Sequence, residues 1–429
     1  MNNVILCFNA VIWIVTLIYW IWKKSISNIG VIVLLLYTFI SCASCHLFSH
    51  PDMMGFYEDN VYVVPFIYLY VILLLLIYPF LKMDYNRVEE LKLPSKKIIE
   101  PICVFIIVCA LYQLITGLPD VKQGLTLILL DSSNAIDAYI DTTEANMERK
   151  ALSGSFSLIG FLVTTGMNFS MLFFFLYILY PNKNIKILIG LIVAVMANPI
   201  MSVASGSREK VVITLLVFCF MFLLLRPFIS SKIRRIITVV SATFFSLLLL
   251  FFVIISFARA RGDIDNVLLG FESYFGMSFL HFDQKCFYAG GTREGNLVSP
   301  LLNVILGGQT YSQEALRDKY ASLGVDNGIF YTFVGDFVLD YGPFIAFVVL
   351  VIFACFCRRI YRVNNIWSAG HIVLCYILLK LLSGFYLHQY SGVGGNLLLI
   401  ELFIFYKIFM YRKNRNLIPF ITIKVKEYE

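Results

Sequence analysis

The stretch Ser246-Leu-Leu-Leu-Leu-Phe-Phe-Val-Ile-Ile-Ser-Phe257-Ala-Arg259-Ala-Arg261-Gly-Asp263 passes from unbroken apolar residues to two arginines and an aspartate within a few positions. The run before Arg259 has the length and greasiness of a membrane span, about 20 residues. From Arg259 to Gly335-Asp336-Phe-Val-Leu-Asp340-Tyr-Gly342 runs the longest polar segment of the chain. Most of the remaining chain is apolar. Of 429 residues, 59% are hydrophobic and 14% charged, against about 45–50% and 25% in a soluble domain. The bilayer is therefore the solvent, and backbone groups buried in it must bond within their own segment, which calls for helices.

Spans fall at roughly 4–22, 29–47, 61–81, 99–117, 156–180, 185–204, 211–230, 236–257, 343–360, 367–386 and 393–411. The expectation is an all-α polytopic membrane protein with about 11 transmembrane helices and two large outer-face loops. Threaded from an outside N-terminus, the inside segments take most of the 34 lysines and arginines, and the outside segments most of the 27 acids, as the positive-inside rule asks. The net charge of +7 then reflects topology, not nucleic-acid binding. Three regions result: 1–257 with helices 1–8 and an outer loop at 118–155, the large loop 258–342, and 343–429 with helices 9–11 and an inside tail. The 118–155 loop opens on an amphipathic stretch (Val121, Leu125, Leu129) expected to lie on the membrane surface as a separate helix. No repeat or coiled coil is present. The first apolar run lacks the basic flank of a cleaved signal. The ten cysteines lie almost all in apolar runs and read as small apolar residues, Cys42-Ala-Ser-Cys45 included.

Cations on an acidic outer face need a reason. Arg259 and Arg261 sit at the outer end of helix eight, where snorkelling to lipid phosphate is the alternative to a binding role, and Arg208 with Lys210 follows a Ser-Gly-Ser turn that a solvated loop explains equally well. A guanidinium keeps its charge in a poor dielectric and matches phosphate oxygens with paired donors. Arg293, in Ala289-Gly-Gly-Thr-Arg293-Glu-Gly, is expected to be solvated on a flexible turn. Candidate bases are Asp263, Glu272, His281, Asp283, Asp336 and Asp340, of which Asp336 and Asp340 lie one helical turn apart. Chemistry and helix anchoring explain that last pair equally well. His281 fits packing better than chemistry. Phe275, His281, His388 and Tyr390 would suit sugar stacking and hydrogen bonding. Two mid-helix charges, Lys380 and Glu401, are expected to pair or to line a cavity, a structural ion pair fitting better than a proton relay. No nucleotide-binding loop, dinucleotide fingerprint, HExxH or clustered Asp-x-Asp occurs. An outer-face enzyme of this kind needs no metal or cofactor if its donor is already activated and membrane-borne, with a pyrophosphate leaving group for the arginines to stabilise.

Ser205-Gly-Ser-Arg208, Tyr331-Thr-Phe-Val-Gly-Asp336-Phe-Val-Leu-Asp340-Tyr-Gly342 and the late long loop resemble the Wzy-type O-antigen polymerases, or oligosaccharide repeat-unit polymerases. Arg259 with Gly270, and Arg149 with Gly160, also fit an Arg-x10-Gly spacing found in some members. The resemblance implies a multi-pass protein of the inner membrane with its active face periplasmic. It would transfer a growing glycan from undecaprenyl pyrophosphate onto a fresh lipid-linked repeat unit, beside a flippase and a chain-length regulator. On this reading Arg208, Arg259, Arg261 and Lys210 bind pyrophosphate, Asp336, Asp263 or Asp340 is the base, and Phe275, His281, His388 and Tyr390 hold sugars. The alternatives are the related O-antigen ligase, with the same donor but a lipid A-core acceptor, and a repeat-unit transporter.

Overall fold

The computed structural model is described for residues 2–50, 60–84, 87–130, 158–204, 209–259, 264–308, 311, 313–326, 330–362, 365–412 and 416–424. Each of the eleven apolar runs falls on a helix. Among the described residues, seven helices are long and apolar enough to cross a membrane. The chain divides into two compact units, the first built from Met1–Arg87, Leu268–Asn364 and Leu374–Lys407.

In this first unit α1 (Asn2–Lys24), α2 (Ile29–Ser49) and α3 (Val63–Lys82) pack on one another. Asn28 starts α2 as its cap, its side-chain oxygen accepting from the N–H of Gly30 at 2.9 Å. Trp13 is fully buried at the centre, stacked on Tyr37 and edge-on to Tyr70. Gly30 lets α2 reach the backbone of α3, where a Cβ would stand 2.5 Å from the Leu81 nitrogen. The polar segment joins this core through its apolar faces. The helix Ile264–His281 lays Gly276 on Ala43, and Ser44 Oγ donates to the Gly276 carbonyl at 2.7 Å. A single π turn continues it over Phe282–Cys286. The polar helix expected over 311–322 is present at Gln313–Ala321.

The helix Phe333–Cys357 is two helices in one line, broken at Gly342 with φ +76°. Only glycine takes that backbone without strain, and Pro343 then starts the second segment, where its missing N–H costs nothing. The first segment, Phe333–Tyr341, is capped by the Thr332 hydroxyl, which accepts from the Gly335 N–H. The sequence placed this helix at 343–360. The nine residues before the break belong to the polar segment and carry both aspartates.

The second unit comprises Val88–Val267, Asn365–Val373 and Ile408–Glu429. Its long helix Lys96–Leu130 packs on Leu158–Ile178 and on Ile185–Ala204. The backbone runs helical through Pro119, so the amphipathic stretch after Gly117 continues the same helix and is not a separate one. A three-stranded sheet, which an all-α reading omits, orders β1 (Glu90–Pro94) between β2 (Ile366–Ser368, parallel) and β3 (Phe420–Lys424, antiparallel). Leu91 and Leu93 are buried while Glu90 and Lys92 keep partial exposure, the two-residue period of a half-buried strand. Strands of three to five residues inside basic segments give too short a pattern to read. The first and third come from segments that the charge alternation assigns to one side, whereas Trp367 and Ser368 of β2 fall in the span expected at 367–386 and are strand, not helix.

Candidate functional site

The long polar segment is organised around an arginine that the sequence left on a solvated turn. Arg293 is 1% exposed. It sits in a turn made by Glu294 (φ +53°) and Gly295 (φ +75°), laid against the end of the Phe333–Tyr341 half-helix. The break at Gly342 leaves the last carbonyls of that half-helix without helical partners. The turn supplies them: Arg293 N–H donates to the Leu339 carbonyl at 2.7 Å and Gly295 N–H to that of Asp340 at 3.2 Å.

The guanidinium reaches back along the half-helix. Its Nη2 lies 3.0 Å from Asp336 Oδ1 and 2.9 Å from the Asp336 carbonyl, and Nη1 donates to the Tyr331 hydroxyl at 3.0 Å. Nε stands 2.6 Å from Asp340 Oδ1, a close ion pair whose N–H is not aimed along the line of centres. The spacing of four residues places both carboxylates on the face that meets the arginine. Their second oxygens are taken as well. Asp336 Oδ2 accepts from the backbone N–H of His388 at 2.8 Å, and Asp340 Oδ2 from those of Leu297 at 3.0 Å and Val298 at 2.6 Å.

Three pieces of chain are thus tied together: the half-helix, the 293–299 turn and the 383–396 segment. Gly392 N–H donates to the Leu297 carbonyl, and Asn396 Nδ2 bridges the carbonyls of Val298 and Tyr390. Tyr341 and Ser299 share a hydroxyl–hydroxyl contact. Burial works against the charge of Arg293, but Tyr331, Asp340 and Asp336 outweigh it and raise its pKa, so it stays protonated. Burial, with Arg293 adding to it, pulls the His388 imidazole down to about 3, so that ring is neutral. Its Nδ1 is buried without a hydrogen-bond partner among the described residues.

The other predicted residues are placed as follows. Tyr390 is 1% exposed and its hydroxyl donates to the Ile377 carbonyl. His281 is buried with Nδ1 on the Phe330 carbonyl, the packing outcome, and burial lowers its pKa. Phe275 stacks on Phe385 at 5.1 Å within an aromatic group that includes Tyr274 and Tyr386. In their present positions His281, His388 and Tyr390 offer a sugar almost no surface. Asp283 is buried and accepts from Tyr62 N–H, and Glu272 pairs with His46. Lys210 is exposed in the first turn of the helix Glu209–Leu225. Arg259 ends the helix Ser231–Arg259; its side chain, with Arg208, Arg261 and Asp263, lies outside the described residues. Lys380 and Glu401 do not pair: the Lys380 ammonium stands over the Tyr390 ring, 5.5 Å from its centre. All ten cysteines are free. Among the described residues no cluster of three His, Cys, Asp or Glu side chains could hold a metal ion.

The turn at 293 reads as flexible in sequence because its glycines are local and its partners lie some 40 residues away. The signal that could have found Arg293 is the aspartate pair itself: two carboxylates on one buried helix face require a cation, and the same polar segment supplies one. No family model matches the chain, and neither a curated protein nor a solved structure does.

Proposed function

We propose that the chain is a membrane glycosyltransferase that polymerises undecaprenyl-pyrophosphate-linked oligosaccharide repeat units into O-antigen or a similar surface polysaccharide. It would cross the inner membrane eleven times, work on the periplasmic face, and need a flippase to deliver units and a regulator to set their number. The observation that carries this reading is the fold of the one long polar segment. In an otherwise apolar helical chain it is held in place by the buried Arg293–Asp336–Asp340 cluster, as a loop-built site for a glycan requires.

In the reaction a hydroxyl at the non-reducing end of the acceptor unit attacks the anomeric carbon of the donor glycan. The bond from that carbon to the pyrophosphate oxygen breaks, undecaprenyl pyrophosphate departs, and the hydroxyl proton passes to a base. Arg208, Arg259, Arg261 and Lys210 stabilise the charge that develops on the pyrophosphate. Asp336 and Asp340 are buried against Arg293 and backbone N–H groups, so their part is to position the half-helix and its loops. The base role passes to Asp263, which adjoins the two arginines in sequence.

Deleting the gene in its native host and resolving the surface polysaccharide by length tests the reading. The expected product is lipid A-core capped by a single repeat, restored to a ladder by the wild-type gene. Bare core would point to the ligase or the repeat-unit transporter instead, and an unchanged ladder would refute all three.

A further inference from the structure

We infer that Lys380 is a contact point for the phosphate of a lipid-borne anion. In the part of the helix Ala369–Leu382 that belongs to the first unit, and on to Tyr386, every residue from Leu374 is buried except Lys380. Lys380, which carries an ammonium group, is thus the one residue of this stretch that keeps partial exposure. That group stands over the face of Tyr390, 5.5 Å away, a ring fixed by its own hydroxyl on the Ile377 carbonyl at 3.1 Å. Among the described residues no carboxylate stands within ion-pair distance of Lys380, and Glu401, one helix on, does not reach it.

A lysine inside a membrane span is retained against a substantial insertion cost and is expected to meet an opposite charge. Its place in the last helical turn, at the negative end of the helix dipole, offsets part of that cost. A cation–π contact offsets another part. Neither explains why Lys380 keeps partial exposure. An anion entering from the membrane would do so, and a phosphate ester or pyrophosphate on a lipid is the anion that a membrane supplies. Arg293 cannot serve, because it is 1% exposed and enclosed by Asp336, Asp340 and Tyr331. Lys380 lies eight residues before His388, at the foot of the loop that His388 ties to Asp336. Phosphate bound there would sit beside the loops proposed to hold the glycan. The inference rests on that proposal only for the choice of probe.

The full chain in nanodiscs, wild type, Lys380→Met and Lys380→Arg, would be titrated with undecaprenyl pyrophosphate, phosphatidylglycerol and inorganic pyrophosphate. The wild type is expected to bind at least one of the two lipids. Lys380→Met should weaken that binding about ten-fold or more, the effect of losing a charge-assisted hydrogen bond, and Lys380→Arg should retain it within a few-fold. Undecaprenyl pyrophosphate binding alone identifies the carrier as the source, binding of phosphatidylglycerol as well identifies a general headgroup site, and inorganic pyrophosphate reports how much the lipid adds. On the wild-type protein, the same lipid should also shield Lys380 from an amine-reactive label, a readout that needs no substituted chain. Equal binding by Lys380→Met, or labelling unaffected by either lipid, overturns the inference. Binding lost in Lys380→Met while deletion of the gene leaves a normal ladder would keep the phosphate site and remove the polymerase reading. Normal binding in Lys380→Met with a collapsed ladder on deletion would do the reverse.

Discussion

Replacing Arg293 by methionine keeps most of the side-chain length and removes the charge. Two carboxylates, Asp336 and Asp340, would then be buried without their cation, at 2% and 1% exposure. Removing one partner of a buried ion pair costs about 3–5 kcal/mol, and the Asp336 carbonyl and Tyr331 hydroxyl also lose a donor. That is a factor of hundreds to thousands in the folded-to-unfolded ratio of the unit, comparable to a large part of the usual margin of about 5–15 kcal/mol. Reversible denaturant unfolding of purified protein in mild detergent, followed by tryptophan fluorescence, measures it. The cluster also predicts non-additivity. Asp336→Asn should cost less in the Arg293→Met background than in wild type, by more than about 1 kcal/mol, because the two changes share one interaction. An Arg293→Met protein within about 0.5 kcal/mol of wild type, or an additive double variant, would refute the view of Arg293 as the hub of the polar segment.

Gly342→Ala should destabilise by about 1–2 kcal/mol from its left-handed backbone, since the nearest atom to an added Cβ, Thr292 Cγ2, is 3.9 Å away and adds no clash. Gly30→Ala should be worse and should reduce the amount of folded protein in membranes, because the methyl would meet rigid α3 backbone at 2.5 Å; quantitative blotting of membrane fractions reads this. His388 binds a proton in the unfolded chain below about 6.5 but in the folded chain only near 3. Stability from this group is therefore full above about pH 6.5 and falls as pH drops toward 3, by up to about 1.4 kcal/mol per pH unit. His388→Asn should flatten the decline between pH 6.5 and 5, and an identical slope in both proteins would contradict the buried neutral imidazole. If Arg259 holds pyrophosphate as proposed, Arg259→Ala should shorten the surface polymer at matched protein level, and a normal length distribution would exclude that role.

The helices were legible because a membrane imposes a coarse requirement, about 20 apolar residues, that composition meets or fails. The runs at 29–47 and 61–81 fall on Ile29–Ser49 and Val63–Lys82 within two residues at each end. The sheet was not legible, because Glu90–Pro94, Ile366–Ser368 and Phe420–Lys424 are each short and find one another across hundreds of residues. Asp336 and Asp340 could be placed on one helix face from their spacing, which is local information. Their partner could not, because Arg293 lies in a glycine turn whose local signals all say loop, and only the fold brings it to the half-helix. Likewise Lys380 and Glu401 looked paired from their positions on consecutive helices, yet the ammonium turns to Tyr390. Local rules fix periodicity and caps; they carry no information on which distant charge meets which.

The polymerase reading is tested most directly by reconstituting the purified chain in liposomes with a defined undecaprenyl-pyrophosphate-linked repeat unit and no other enzyme. The account predicts products lengthened by whole repeats, with one undecaprenyl pyrophosphate released for each bond formed. Intact substrate after prolonged incubation, with no pyrophosphate carrier released by a protein shown to be folded, would contradict it.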